Sequence, residues 1–283
     1  MRQFQEEELK ELHKPGLDSG KGDNGRVTII GGSELFHGAP LLALKTASRV
    51  VDMVFFASPS HLENVCDKLK SQLSSFIWIP WDEVDQYIEK SEAILIGPGL
   101  PRYHQESKEC QEKKICDEAG RQTKEITENL LKKFSQKQWV IDAGSLQTMD
   151  SQFIPQKAIL TPNRKEFQLL FEIPMNEENL KRMAQKYHCL IVGKNAETLV
   201  VSPKESILVK GGNAGLTKGG TGDVLAGLTV ALAATNEPFF AACAASFIAK
   251  KAADELYRKV GFAYSADDLA EEIPQVLGEY FRQ

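Results

Sequence analysis

Between Gly211 and Gly227 the chain reads GGNAGLTKGGTGDVLAG, seven glycines in 17 positions, and passes without a break into an apolar helical pattern. Glycine permits sharp turns and close backbone approach. A helix that starts straight after such a loop aims free N–H groups and a positive dipole end at whatever the loop encloses. Gly219, Gly220, Thr221 and Gly222 would supply those amides as an anion hole. Asp223 falls in the first helical turn, where a carboxylate is electrostatically favoured and where it can also take a proton. The stretch is not a Walker A sequence, because no Gly-Lys-Ser/Thr follows at the required spacing, and it is not GxGxxG. The expectation is a phosphate site and a catalytic centre in one place.

Elsewhere short apolar runs alternate with helical patterns. Val27–Ile30 and residues 53–57, 76–80, 93–97, 139–142 and 158–163 read as strands, and 41–51, 61–73, 164–171 and 176–187 as helices. Pro40 suits a first helical turn. The charge-rich 103–134 predicts a solvated helical face with opposite charges three or four apart. Residues 189–195 and 198–203 predict two antiparallel strands around a turn, with 207–210 a third. Helices are expected over 223–235 and 239–259, and a last one capped by Ser265. This alternation implies an α/β fold with a mostly parallel central sheet and helices on both faces, in three layers. Residues 1–20 read as an N-terminal lead-in, in which Leu9 and Leu12 can dock a short helix, and 21–283 as a single domain.

A net charge of −5 and a pI near 5.7 argue against nucleic acid or an anionic membrane as the main partner. No apolar run reaches the roughly 18 residues that span a bilayer, and the polar start MRQFQEEELKEL is not expected to be a signal peptide. The five cysteines are odd in number and lack a CxxC pair, which predicts reduced thiols and a cytoplasmic location. Cys110 and Cys116, six apart, do not share a helical face and suggest no redox site. The five histidines are scattered, so no protein-held metal is expected.

In open parallel sheets, ligands bind beyond the carboxyl ends of the strands. The residues at such ends are Gly31-Gly32-Ser33 with Gly38-Ala39, then Gly97-Pro98-Gly99, Asp142, Thr161-Pro162-Asn163 and Lys194. Each alone has a plain structural explanation: a turn for the glycines, a helix cap for Asp142 or Asn163, a solvent-exposed turn residue for Lys194.

Taken in order, these segments resemble the NAD(P)H-hydrate dehydratases, which have a ribokinase-like fold. KGDNGRVTIIGGSELFHGAP is similar to the family's KGxxGxVxxIGGSxxYxGAP, AILIGPGL to its GPGLG segment, and WVIDAGSL to its strand ending in Asp-Ala. AILTPNRKEF resembles TPHxGEF, and GGNAGLTKGGTGDVLAG resembles GNPGMAKGGTGDVLAG. The resemblance runs from about Lys21 to the end. It implies a stand-alone dehydratase, without the epimerase domain fused to it in some relatives. That enzyme would remove water from hydrated NADH and NADPH with ADP, or less commonly ATP, as phosphoryl donor, and Mg2+ would be held by the donor oxygens. It also implies a homo-oligomer, commonly a tetramer. By position, Asp223 would be the base and Gly219 to Gly222 the anion hole. Ala39, Gly99 and Asn163, with Asp223, would meet the hydrated nicotinamide. Lys194, Asn195, Ala196, Glu197 and Thr198, with Gly222, would meet the nucleotide. Asn163 stands where many bacterial members have histidine.

Two other readings share the anion loop and the aspartate. One is a small-molecule kinase of the same fold acting on a vitamin alcohol, against which the early GGSxxxxGAP loop speaks. The other is a non-catalytic nucleotide sensor, against which the intact Asp223 speaks.

Overall fold

The computed structural model describes residues 1–59, 73–103 and 117–282. The expected helix at 61–73 up to its last residue, most of the first half of 103–134, and Cys66, Cys110 and Cys116 lie outside the described residues. Ten strands join in one sheet among those described. β1 (Arg2–Gln3), β2 (Arg26–Ile30), β3 (Met53–Ala57), β4 (Ile77–Trp78) and β5 (Ala93–Ile96) precede β6 (Gln138–Ile141), β7 (Ile159–Leu160), β8 (Leu190–Gly193), β9 (Thr198–Val201) and β10 (Ser206–Val209). Their spatial order is β1-β10-β9-β8-β7-β6-β5-β2-β3-β4. From β4 to β8 every pairing is parallel, and β9 pairs antiparallel with both β8 and β10. The expected antiparallel trio at 189–210 is therefore present. Two expected strands are shorter than their apolar runs: 76–80 contracts to β4, and 158–163 to β7, whose chain leaves the ladder before Pro162.

Strand side chains alternate between two cores. Val27, Ile29, Leu95 and Val140 face one cluster, while Ile30, Ile94, Ile96, Trp139 and Ile141 face the other. The first cluster is closed by α1 (Gly38–Ala47) and by three helices from the last third of the chain. The second is closed by α2 (Val84–Lys90), α3 (Glu118–Lys133), α4 (Ala143–Thr148), α5 (Arg164–Phe171) and α6 (Glu177–Tyr187). The three late helices are α7 (Thr221–Ala233), α8 (Pro238–Val260) and α9 (Ala266–Phe281). This is the three-layer arrangement that alternation predicts. α1 is shorter than the 41–51 pattern, since Arg49, Val50 and Val51 turn back on Thr46 and Ala47.

Helix α7 is almost wholly buried. It crosses α1 at close range because Gly227 has no side chain: a Cβ there would lie 2.5 Å from the Ala43 carbonyl oxygen. Ahead of Lys21, Arg2–Gln3 pairs with β10 in parallel, and Phe4, Leu9 and Leu12 are buried in the first core. Glu6 accepts hydrogen bonds from Lys251 at 2.6 Å and from the Tyr280 hydroxyl at 2.7 Å, tying the first turn of chain to α8 and α9. No helix among the described residues is long and apolar enough to cross a membrane.

Candidate active site

The singled-out residues sit where the parallel strands end. β2 runs into Gly31, β5 into Gly97, β6 into Asp142, β7 into Thr161-Pro162-Asn163 and β8 into Lys194. Backbones approach very closely here. A Cβ on Gly97 would fall 1.8 Å from the Asp142 carbonyl oxygen, and one on Gly31 would fall 2.1 Å from that of Pro98. Gly99 is packed the same way, with its hypothetical Cβ 2.3 Å from the Phe36 carbonyl oxygen and 2.9 Å from Pro40. The 33–40 loop, including Ala39 at the second position of α1, is thereby seated on the 97–99 turn.

Gly220 takes a left-handed conformation, φ 92°, at the N-cap of α7. The Thr221 hydroxyl turns back on the loop, 2.7 Å from Leu216 O and 2.9 Å from Lys218 O. It therefore braces the loop instead of pointing outward. Thr221 N donates to Lys218 O at 3.4 Å and Val224 N to Gly220 O at 3.1 Å, while Gly222 lies at the cavity wall at the start of the helix. Lys218 is fixed in turn by donating to the carbonyls of Phe262 and Tyr264.

Charged side chains converge on α7 from three other elements. Lys194 Nζ donates to Asp142 Oδ1 at 2.8 Å and lies 3.6 Å from Glu166 Oε2. Asp142 occupies an N-cap position ahead of α4 but makes no side-chain cap bond there, so its carboxylate serves the lysine. Glu166 and Asn163 form a capping box: Asn163 Oδ1 accepts from Glu166 N at 3.0 Å, and Glu166 Oε2 accepts from Asn163 N at 2.8 Å. Lys194 is not the solvent-exposed residue its turn suggests.

The electrostatics follow from burial. Desolvation lifts the Asp223 carboxyl, the nearby Asp142 charge lifts it further, Lys194 opposes, and the group is pushed up to about 7. Burial raises Glu166 as well, with Lys194 pulling the other way. Burial disfavours the Lys194 ammonium, but Asp142 and Glu166 outweigh it and hold the lysine above its ordinary range. A carboxyl near neutrality inside a charged cluster is poised to accept a proton at physiological pH.

A cavity of about 700 Å³ opens beside this cluster. Asn163, Lys194, Asn195, Ala196, Thr198, Thr221 and Gly222 all line it, so seven of the sequence-derived positions meet in one space. Glu197 points elsewhere, toward Lys210 at 4.0 Å. Ala39 and Gly99 gather at the separate 31–40 and 97–99 junction, and Gly219 and Gly220 shape the approach to α7. The volume suits a nucleotide-sized ligand, since small-molecule sites run to several hundred cubic ångströms.

The family model for NAD(P)H-hydrate dehydratase matches residues 27–275. The chain belongs to the NAD(P)H-hydrate dehydratase family. A bifunctional NAD(P)H-hydrate repair enzyme from Methanocaldococcus jannaschii is 36% identical over 95% of this chain and 51% of its own length. The chain thus spans about half the length of that curated relative. An ATP-dependent (S)-NAD(P)H-hydrate dehydratase from Drosophila pseudoobscura is 30% identical, over 93% of this chain and 89% of the fly protein. An ADP-dependent one from Enterococcus faecalis is 26% identical, over 76% and 72%. Among solved structures, a ribokinase-like superfamily protein from Enterococcus faecalis superposes with a TM-score of 0.84 at 23% identity, covering 100% of this chain and 97% of the other. The fold is ribokinase-like.

Within this dehydratase-family chain, sequence patterning misses Glu166 as a charged neighbour of Lys194, and it misses Asn213, Ser246 and Lys250 in the cavity wall. Lys250 had one legible signal. It is a cation at a position that helical spacing from Ser246 assigns to the buried stripe of an alanine-rich helix.

Proposed function

We propose that this chain dehydrates (6S)-hydrated NADH and NADPH, with ADP or ATP as phosphoryl donor. The supporting observation is Asp223. It stands in the first turn of α7 beside Gly222 of the cavity wall, with its carboxyl raised to about 7. Ionised Asp223 takes the proton of the 6-hydroxyl as that oxygen attacks the donor's terminal phosphorus, and the bond to the rest of the nucleotide breaks, releasing AMP from ADP or ADP from ATP. Hydroxide is a poor leaving group and phosphate a good one. The ring nitrogen's lone pair then expels phosphate from C6, and loss of a proton from C5 restores the ring double bond.

The Gly222 amide at the start of α7, reached through Gly219 and Gly220, holds the charge of the transferring group without reorganising. Ala39 and Gly99 give the hydrated ring a close-fitting floor. The Asn163 side-chain amide, its oxygen engaged in the cap, retains its N–H groups for a carboxamide or hydroxyl. Asn195, Ala196 and Thr198 line the nucleotide's part of the cavity, while Lys194 keeps the carboxylates around it in order.

Magnesium would screen the donor's phosphate charge. The donor set fits an ion carried by the phosphates and water, because Asp142 and Glu166 are already engaged by the Lys194 ammonium. Assembly as a homo-oligomer and work in the cytoplasm remain parts of the same proposal.

The experiment is direct. The protein is incubated with hydrated NADH and either nucleotide, and NADH absorbance is followed. Nucleotide-dependent recovery is expected. Phosphorylation of a vitamin alcohol without recovery would make the protein a kinase, and binding without either activity would make it a sensor.

A further inference from the structure

Helix α8 gives one face to the cavity, through Ser246, Ala249 and Lys250. Most of its buried residues are alanine and other apolar types, yet Lys250 among them is only 5% exposed. An ammonium taken out of water must be hydrogen-bonded. Lys250 Nζ donates to the Ala196 carbonyl at 2.6 Å and to the Gly211 carbonyl at 2.9 Å.

Those two carbonyls belong to different loops. Ala196 is in the turn between β8 and β9, and Gly211 follows β10. Asn195 and Ala196 of the first loop, and Gly212 and Asn213 of the second, wall the same cavity. One helical turn beyond Lys250, Asp254 accepts from Gly212 N at 2.9 Å and from Asn213 Nδ2 at 3.2 Å. Gly211 and Gly212 are both left-handed, φ 95° and 76°, so the second loop keeps its shape through these bonds rather than through a regular ladder.

We propose that Lys250 is a positioning residue for the donor nucleotide, bridging Ala196 O and Gly211 O and so fixing the spacing of the two loops between which the nucleotide lies. This rests on the reading of the cavity as the nucleotide site. Lys250 acts through the loops and not on the reacting atoms. Its loss therefore falls on the donor and spares the hydrated nicotinamide, whose Gly99 and Ala39 floor is built by the turn after β5 and the start of α1.

The test uses the full chain with Lys250→Met, with ADP and ATP binding measured by calorimetry and KM measured for each substrate. Donor affinity is expected to weaken by about tenfold or more, as when a charged hydrogen-bonding group is lost. Donor KM should rise in step, with kcat and the KM for hydrated NADH nearly unchanged. Lys250→Gln is neutral and shorter, so neither carbonyl keeps its charged donor, and it is expected to give the same split; it is the variant read if the methionine protein does not fold. Unchanged donor affinity in a folded variant overturns the proposal, as does an equal rise in both KM values. Wild-type protein that binds neither ADP nor ATP overturns the nucleotide reading, and this proposal with it.

Discussion

Lys194 Nζ lies 2.8 Å from Asp142 Oδ1, an ion pair that joins the ends of β8 and β6 across 52 residues of sequence. Truncating one partner of such a buried pair leaves the other charge without compensation. Lys194→Met is therefore expected to destabilise the fold by about 3 kcal/mol in urea unfolding. Adding Asp142→Asn should recover a substantial part of that loss. Simple additivity of the two changes would mean that the pair is not energetically coupled.

Asp223→Asn keeps the size of the side chain and removes its basicity. Turnover of hydrated NADH is expected to vanish while ADP or ATP still binds. In the wild type, the rate should climb as pH passes through about 7, where the carboxyl ionises. A variant that regenerates NADH at the wild-type rate would remove Asp223 from the role of base.

Stability should carry the same titration with a definite sign. The folded carboxyl of Asp223 is raised above its ordinary value, so the folded state holds that proton more tightly than the unfolded chain does. Its contribution is complete below about pH 4 and is lost as pH rises through about 7. Asp223→Asn escapes that loss. Its unfolding free energy should gain on the wild type's between pH 4 and 8, by an amount on the order of 4 kcal/mol, measured by denaturant unfolding across that pH range. A constant difference across that range would show that the group is not perturbed.

Two neighbouring glycines should respond in opposite ways. A Cβ on Gly222 would sit 3.4 Å from Lys194 Nζ, an ordinary contact, so Gly222→Val is expected to fold and to lose nucleotide binding by filling the cavity. A Cβ on Gly220 would lie 2.5 Å from Leu42 Cδ1 at φ +92°. Gly220→Ala should therefore cost about 1–3 kcal/mol of stability, measured by chemical denaturation. Unchanged nucleotide affinity in Gly222→Val would take the start of α7 out of the site.

On the proposed nicotinamide side, Gly99→Ala would drive a methyl against Phe36 O and Pro40. The 33–40 loop must shift to admit it. The KM for hydrated NADH is expected to rise by about tenfold, with calorimetric ADP or ATP affinity unaltered. A matching loss of nucleotide affinity would show that the two subsites are not separable.

Much of this fold is visible in the chain itself, because buried parallel strands such as β2, β5 and β6 are short, largely apolar and β-branched runs closed by Gly or Asp, and α7 and the first half of α8 are apolar helices. The glycine stretch likewise announces a loop feeding a helix. What periodicity does not convey is partnership at a distance. Lys194 looks like a turn lysine until β6 and α5 bring Asp142 and Glu166 to it. Asp142 looks like a cap, and whether it caps α4 or meets a lysine depends on a strand 52 residues later. Arg2–Gln3 gives no strand signal at all: both residues are polar and exposed, and only the waiting edge of β10 makes them a strand.

That edge has a consequence for how the molecule behaves in a crowded solution. Among the described residues the sheet ends in two-residue strands on both sides, Arg2–Gln3 beyond β10 and Ile77–Trp78 beyond β3. Each short strand pairs with two residues of the longer strand inside it, Arg2–Gln3 with Ile207 and Leu208 and Ile77–Trp78 with Phe55 and Phe56, which shortens the row of backbone donors and acceptors left for another chain. The arginine-and-glutamine stub that looks incidental in the sequence occupies strand edge that β10 would otherwise present.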